Sequence, residues 1–345
     1  MDRTAARDFF RDVIALAPMA MGGNLPYRRL CREFGARHTC SEMVLANKLV
    51  KGGERPLIRH HPDETDFGVQ LAGKHLDVMA EAAVIAVEAG AQFIDLNFGC
   101  PIDLIVRRGS GAALLKRPSK LAAVVQAVRE VVDVPLSAKL RLGYTEKKLN
   151  VVDLALRCQE VGADAVVVHG RTRAQRYRLN ARWELIDEVA GAVDIPVIGN
   201  GDLLTPWDLE KRRQETSVRS FLVARGALIK PWIFRELADG QAWYPTVAER
   251  WAIMRRFVDF ACEHFGDDEK GLGRVERFFF WHLKWWHRYR PWTLEEHTAH
   301  WPDSLVQARN QGVEGDPDLV LLASDSEEDH QVIWRRVLDR DYPAE

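Results

Sequence analysis

The sequence predicts an α/β fold, a (β/α)8 TIM barrel followed by a small helical domain. Three observations predict it. Eight short apolar runs alternate with helical patterns over the first 240 residues. Polar residues stand at the C-terminal ends of most of these runs. Such ends converge on one mouth in a barrel, whereas a doubly wound open sheet spreads them along a crevice. Beyond Gly240 the texture changes, and eight of the eleven tryptophans follow it.

The runs are VIALAPM (13–19), TCSEMVL (39–45), FGVQL (67–71), FIDLNF (93–98), PLSAKL (135–140), AVVVHG (165–170), IPVIGN (195–200) and SFLVA (220–224). Each is rich in Val, Ile or Leu, the pattern of strands buried on both faces in a parallel sheet. Amphipathic stretches such as 75–90 and 118–132 lie between them. An internal echo supports the repeat. Glu88-Ala-Gly-Ala-Gln-Phe-Ile-Asp matches Glu160-Val-Gly-Ala-Asp-Ala-Val-Val, and Asp133-Val-Pro-Leu matches Asp194-Ile-Pro-Val. In each, Gly or Asp-x-Pro ends a helix before a strand begins. The expected barrel spans 1–240, and 241–345 is expected to be a helical domain with an acidic tail. Segments 246–265 and 275–289 read as helices, Gly312–Asp329 as loosely ordered, and VIWRRVL (332–338) as a last helix.

Apolar residues make up 47% and charged residues 28% of the 345, which excludes wholesale disorder. No apolar run is long enough to span a bilayer, and MDRTAARDFFRD lacks the apolar stretch of a secretion signal. Five scattered cysteines without a CxxC pair predict neither a disulfide framework nor a metal site. A cytoplasmic monomer with no membrane partner is expected. Net charge is −2, but residues 301–345 carry 4 Lys/Arg against 11 Asp/Glu. The remainder is mildly basic, which is compatible with a polyanionic partner.

The strand ends supply the chemistry. Gly201 after strand 7 and Gly226 after strand 8 let the backbone approach an anion, as barrel phosphate sites do. Either glycine alone also fits a tight loop. Gln70, Lys139 and His169 sit on three different strands, as a flat heteroaromatic with a polar rim requires. A lysine near the N1–C2 edge of an isoalloxazine stabilises its anionic reduced form. Taken singly, Lys139 also fits an internal salt bridge and His169 a core histidine. Cys100, in Asn-x-Gly-Cys-Pro, fits a nucleophile or a general acid, since a thiol with pKa near ~8.5 is protonated at neutral pH. Arginines 171, 173, 176, 178 and 182 crowd HGRTRAQRYRLNAR, and Arg274, Arg277, Lys284 and Arg288 share a helical face flanked by Trp281 and Trp285. Basic groups interleaved with aromatics suit a polynucleotide.

The motifs APM, FGVQL, DLNFGCP, KLRLG, HGRTRAQRY, GNGD and ARGALIKPW occur in this order between Ala17 and Trp232. Together they resemble the flavin-dependent tRNA-dihydrouridine synthases. GNLPYRRLCREFGARHTCSEM, GCPIDLIVRRGSGAAL and ARGALIKPWIF resemble the type-3 branch, which acts on position 47 of the tRNA variable loop. The zinc-finger extension that precedes the core in eukaryotic members is not part of this sequence. The resemblance implies that Pro18, Met19, Gln70, Lys139 and His169 hold the FMN ring. Asn200, Gly201, Asp202, Ala224, Arg225 and Gly226 would hold its ribityl phosphate. It implies Cys100 as general acid, with Asn97 and Arg141 beside the uracil and Arg171, Arg173 and Arg178 toward the substrate. NADPH would reduce FMN, hydride would pass to uracil C6, and Cys100 would protonate C5. Ala181-Arg182-Trp183 departs from the A-D-W common in members, and Leu179 and Asn180 also differ. Three other readings use the same residues: an FMN barrel acting on a small pyrimidine, as dihydroorotate dehydrogenase does, a non-catalytic RNA-binding barrel, and an aldolase-type barrel with Lys139 as Schiff-base lysine.

Overall fold

A computed structural model describes residues 2–299 and 314–343. Eight parallel strands form the barrel: β1 (Ile14–Leu16), β2 (Thr39–Cys40), β3 (Phe67–Ala72), β4 (Phe93–Asn97), β5 (Leu136–Arg141), β6 (Ala165–His169), β7 (Val197–Asn200) and β8 (Ser220–Val223). Each pairs with the next from β2 to β8, and β8 returns to β1. Leu16 N–H donates to the His38 carbonyl at 2.9 Å and closes the ring between β1 and β2. Every residue of β3, β4, β6, β7 and β8 is buried. That explains their continuous apolar character: one face meets the helices and the other the barrel interior.

The interior has its own small core of Ala15, Cys40, Phe93, Ala165, Val167, Ile198 and Leu222. Helix Arg3–Asp8 delivers Phe9 and Phe10 to its floor, and the Phe10 ring meets Phe93 edge-on at 5.7 Å. Apolar side chains therefore fill the lower barrel, leaving only the upper layer for polar groups.

Beyond Gly240, which ends helix Ile233–Asp239 at φ +68°, two long helices follow. Val247–Phe265 begins with a capping box between Thr246 and Glu249, and Glu269–Trp286 is capped by Asp268. Trp286 is buried against Phe257 of the first, Trp251 is buried and stacks on Tyr342 at 5.7 Å, and Tyr27 of helix Leu25–Glu33 stacks on His282 at 4.0 Å. The helical part thus shares a core with the outer layer of the barrel.

Two expectations are corrected, and one element was not anticipated. TCSEMVL is broken into Thr39–Cys40 and Val44–Leu45, both pairing with β3. An antiparallel hairpin, Gly143–Thr145 with Lys148–Leu149, follows β5. The acidic stretch is not loose where it is described. It forms helix Pro317–Leu322, whose N-terminal amides donate to Asp316, and then helix Glu327–Asp339, capped by Ser326. Acidic residues in first turns suit the helix dipole. Trp301 and residues 312–313 lie outside the described residues. Among those described, no helix is long and apolar enough to cross a membrane.

Candidate active site at the mouth of the barrel

A cleft of about 480 Å³ opens at the C-terminal ends of the strands, where Trp281 and Trp285 of helix Glu269–Trp286 form part of its wall. A wider depression of about 570 Å³ lies at the opposite end, between Arg3, Arg129 and Glu160. It contains none of the strand-end residues, so the chemistry belongs to the upper cleft.

Register places its polar floor. Gln70, Asp95 and Ser137 lie side by side on β3, β4 and β5, and Asn97 lies beside Lys139 one layer higher. Gln70 Nε2 donates to Asp95 at 2.6 Å, and Gln70 Oε1 accepts from Asn97 at 2.7 Å. One amide hydrogen and one lone pair of Gln70 stay unengaged by these bonds. Lys139 Nζ donates to Asn200 Oδ1 at 3.1 Å. Burial pulls its pKa down to about 8, with Asp95 opposing and Arg141 adding to the fall. Burial pushes Asp95 up to about 6, against its hydrogen bonds from Gln70 and Ser137 and the charge of Lys139.

His169 is held far below the ordinary imidazole range by burial and then by Arg141, Lys139, Arg171 and Arg225. It is therefore neutral. Arg171 Nη1 lies 3.3 Å from His169 Nε2. A guanidinium only donates, so Nε2 accepts and Nδ1 carries the proton.

Cys100 is half-buried. Its N–H, with that of Gly99, donates to Asn97 Oδ1, at 2.8 and 3.1 Å. Burial raises the thiol above its usual range, although Ile102 N–H and Arg141 oppose this. The thiol is accordingly protonated at neutral pH. The loop Gly109–Gly111 backs it, and Ala112 N–H donates to the Cys100 carbonyl at 3.1 Å.

The arginines behave differently from expectation. Arg141 donates to the carbonyls of Gly99 (2.7 Å), Thr172 (3.0 Å) and Arg176 (2.7 Å), so it braces two loops and has only its Nη2 hydrogens left. Arg171 is buried, pairs with both Asp202 oxygens at 2.7 Å and holds the Leu179 carbonyl. It faces inward and lies off the cleft lining. Arg173 pairs with Asp103, and Arg178 is exposed. Neither lines the cleft. Asp202 also accepts from Arg225 at 3.0 Å and from Ala181 N–H at 2.7 Å. Its carboxylate thus arranges two cations. A Cβ at Gly201 would stand 2.5 Å from Ala181 Cβ, and one at Gly226 would stand 2.3 Å from the Leu203 carbonyl. The chain's own packing therefore demands both glycines.

The family model described as dihydrouridine synthase matches residues 15–311. This chain belongs to the dihydrouridine synthase family. A Xenopus tropicalis relative named tRNA-dihydrouridine(47) synthase [NAD(P)(+)]-like is 39% identical over 292 residues, covering 84% of this chain and 46% of that protein. A Homo sapiens relative of the same name is 39% identical over 290 residues, covering 83% and 44%. In Coprinopsis cinerea, tRNA-dihydrouridine(47) synthase [NAD(P)(+)] is 38% identical over 332 residues, covering 91% and 48%. This dihydrouridine synthase chain thus spans less than half the length of these relatives. Among solved structures, 2-naphthoyl-CoA reductase matches with a TM-score of 0.52 over 67% of this chain and 50% of that one. Histamine dehydrogenase from Rhizobium sp. 4-9 matches at 0.50 over 74% and 51%. Both are 12% identical and bear on the fold alone.

In this dihydrouridine synthase chain the donor set suits a flat heteroaromatic that carries an anionic group. Pro18 and Met19 give an apolar wall. Gln70, Lys139 and His169 line the cleft from three strands, and the Arg225 guanidinium lines it as well. Fourteen of the seventeen anticipated residues line the cleft, and Arg171, Arg173 and Arg178 are the exceptions. Sequence reasoning missed Asp95 and Tyr177. An acidic residue in the middle of a buried, mostly apolar strand was the available signal for Asp95.

Proposed function

We propose that this chain is a monomeric, cytoplasmic FMN-dependent tRNA-dihydrouridine synthase driven by NADPH, which reduces the C5–C6 double bond of a uridine, at position 47. The observation that carries the reading is Cys100. It is a protonated thiol at the cleft that also gathers Gln70, Lys139 and the neutral His169. The names of the relatives support the substrate and the position.

When bound, FMN would supply the hydride that uracil C6 accepts, replenished from NADPH. The chain's residues do the rest. Pro18 and Met19 would pack against the ring, and Gln70 would offer it a donor and an acceptor. Lys139 would hold positive charge beside it, and His169 would add a neutral donor. Arg225, with Asn200, Gly201, Asp202, Ala224 and Gly226 around it, would neutralise the phosphate. Cys100 gives its proton to uracil C5, which completes the addition of H⁻ and H⁺. Chemistry on a base requires the base to leave its stack. Trp281 and Trp285 at the cleft wall and exposed Arg274, Arg277 and Lys284 on the same helix supply stacking surface and phosphate contacts for the RNA. The 241–345 segment is thus read as the RNA-binding part.

Incubation of unmodified tRNA with the protein, FMN and NADPH, followed by nuclease digestion and mass spectrometry, tests this. A gain of two hydrogens in the fragment holding position 47 is expected. A gain elsewhere corrects the position, and no gain in any fragment overturns the reading.

A further inference from the structure

Asp95 is buried in the floor of the cleft, and the chemistry above gives it no task. Its surroundings do. One carboxylate oxygen accepts from Gln70 Nε2 at 2.6 Å and the other from Ser137 Oγ at 2.6 Å. Gln70 Oε1 accepts from Asn97 Nδ2 at 2.7 Å. Asn97 Oδ1 accepts from the N–H groups of Gly99 and Cys100. Four links therefore run from Ser137 to the cysteine loop. Both ends have a fixed sense, because a carboxylate only accepts and a backbone N–H only donates. Each amide between them has one orientation that satisfies both neighbours. Turning either one over would set two donors or two acceptors against each other in a buried place, which is costly.

We propose that Asp95 is a positioning residue: through the amides of Gln70 and Asn97 it fixes the seat of Cys100. The effect on turnover rests on the reading of Cys100 as proton donor, whereas the seating itself does not. Lys139 acts on Asp95 through charge, while its hydrogen bond goes to Asn200, so Asp95→Asn removes the charge and leaves the relay. Asp95→Asn should preserve the relay. Its amide oxygen can accept from Gln70 while its NH2 donates to Ser137, whose hydroxyl can turn to accept. Asp95→Ala removes the acceptor.

The test is the rate of Cys100 alkylation by iodoacetamide in the intact 345-residue chain, read by mass spectrometry in a Cys262→Ser background. Cys31, Cys40 and Cys158 are buried, so Cys100 is then the accessible thiol. Asp95→Ala should alkylate roughly tenfold faster than the parent, since one anchoring hydrogen bond is released. Asp95→Asn should alkylate at the parent rate, and dihydrouridine formation should be lost and retained in the same order. If Asp95→Ala fails to fold, Gln70→Met, which keeps the side chain's length and cuts the next link, carries the prediction. A folded Asp95→Ala or Gln70→Met with the parent alkylation rate overturns the proposal, as does Asp95→Asn behaving like Asp95→Ala. If alkylation follows the expected order while even the parent leaves tRNA unreduced, the seating stands and the functional reading falls.

Discussion

Lys139 and Cys100 are both protonated at neutral pH, but they lose their protons in different ranges. Lys139 has been pulled down to about 8, while the Cys100 thiol has been pushed above its usual range. As pH rises, the Lys139 cation therefore disappears before the Cys100 proton does. Turnover should fall through about 8, and Lys139→Arg, which stays charged, should move this limb to higher pH. A pH profile of dihydrouridine formation checks it, and an unmoved limb in the variant would assign the titration to another group. The stability effect has a definite sign. A lysine depressed in the fold makes the folded state unfavourable for the proton. Its charging cost is present in full below about 8 and fades as pH rises toward the unfolded value. Asp202 gives the second prediction at this scale. It neutralises buried Arg171 and half-buried Arg225 at once. Asp202→Ala should lower stability by about 3–5 kcal/mol in urea titrations, the range for stranding a buried charge. A loss under about 1 kcal/mol, typical of an exposed pair, would contradict that.

At the scale of the element, the loop after β4 decides where the thiol lies. Gly111 sits at φ +58°, and a Cβ there would stand 3.0 Å from the Cys100 carbonyl and 3.1 Å from Cys100 Cβ. Gly111→Ala should cost about 1–2 kcal/mol for the left-handed backbone. The displaced thiol should slow tRNA reduction roughly tenfold. Reduction of the flavin by NADPH should be unchanged, so equal slowing of both half-reactions would show a general defect instead. The strands were legible in the sequence because both of their faces are buried and apolar, a signal that needs no context. The short break at 41–43 and the hairpin after β5 were not, since two- and three-residue strands leave no periodicity. The same limit explains the arginines. Arg141 and Arg171 could be placed at strand ends from sequence. That main-chain carbonyls and Asp202 engage them depends on loops that converge only in three dimensions. Cys100, Gln70, Lys139 and His169 were legible because strand ends necessarily meet at the mouth.

At the scale of the whole molecule, barrel and helical segment share one apolar core. Tyr27 contacts His282, Phe257 and Trp286, and its hydroxyl donates to the Ala227 carbonyl at 2.5 Å. A chain ending at residue 240 would expose the apolar face of helix Leu25–Glu33, where Tyr27, Leu30 and Cys31 are buried. It should aggregate, whereas a monomeric fragment with a cooperative melt would show that the barrel is independent. The shared core also explains how Trp281 and Trp285 reach the cleft: helix Glu269–Trp286 is fixed by its buried face and presents the other to the mouth.

In the proposed reaction one cleft takes hydride from NADPH and delivers it, with a proton from Cys100, to a uridine in tRNA. Anaerobic absorption spectroscopy of the FMN-loaded protein tests it most directly, with NADPH added first and unmodified tRNA second, in the parent and in Cys100→Ala. NADPH should bleach the flavin in both, and tRNA should restore the oxidised spectrum promptly in the parent and only slowly in Cys100→Ala. Flavin that bleaches but stays reduced when tRNA is added to the parent would contradict it, as would equally fast restoration in the two proteins.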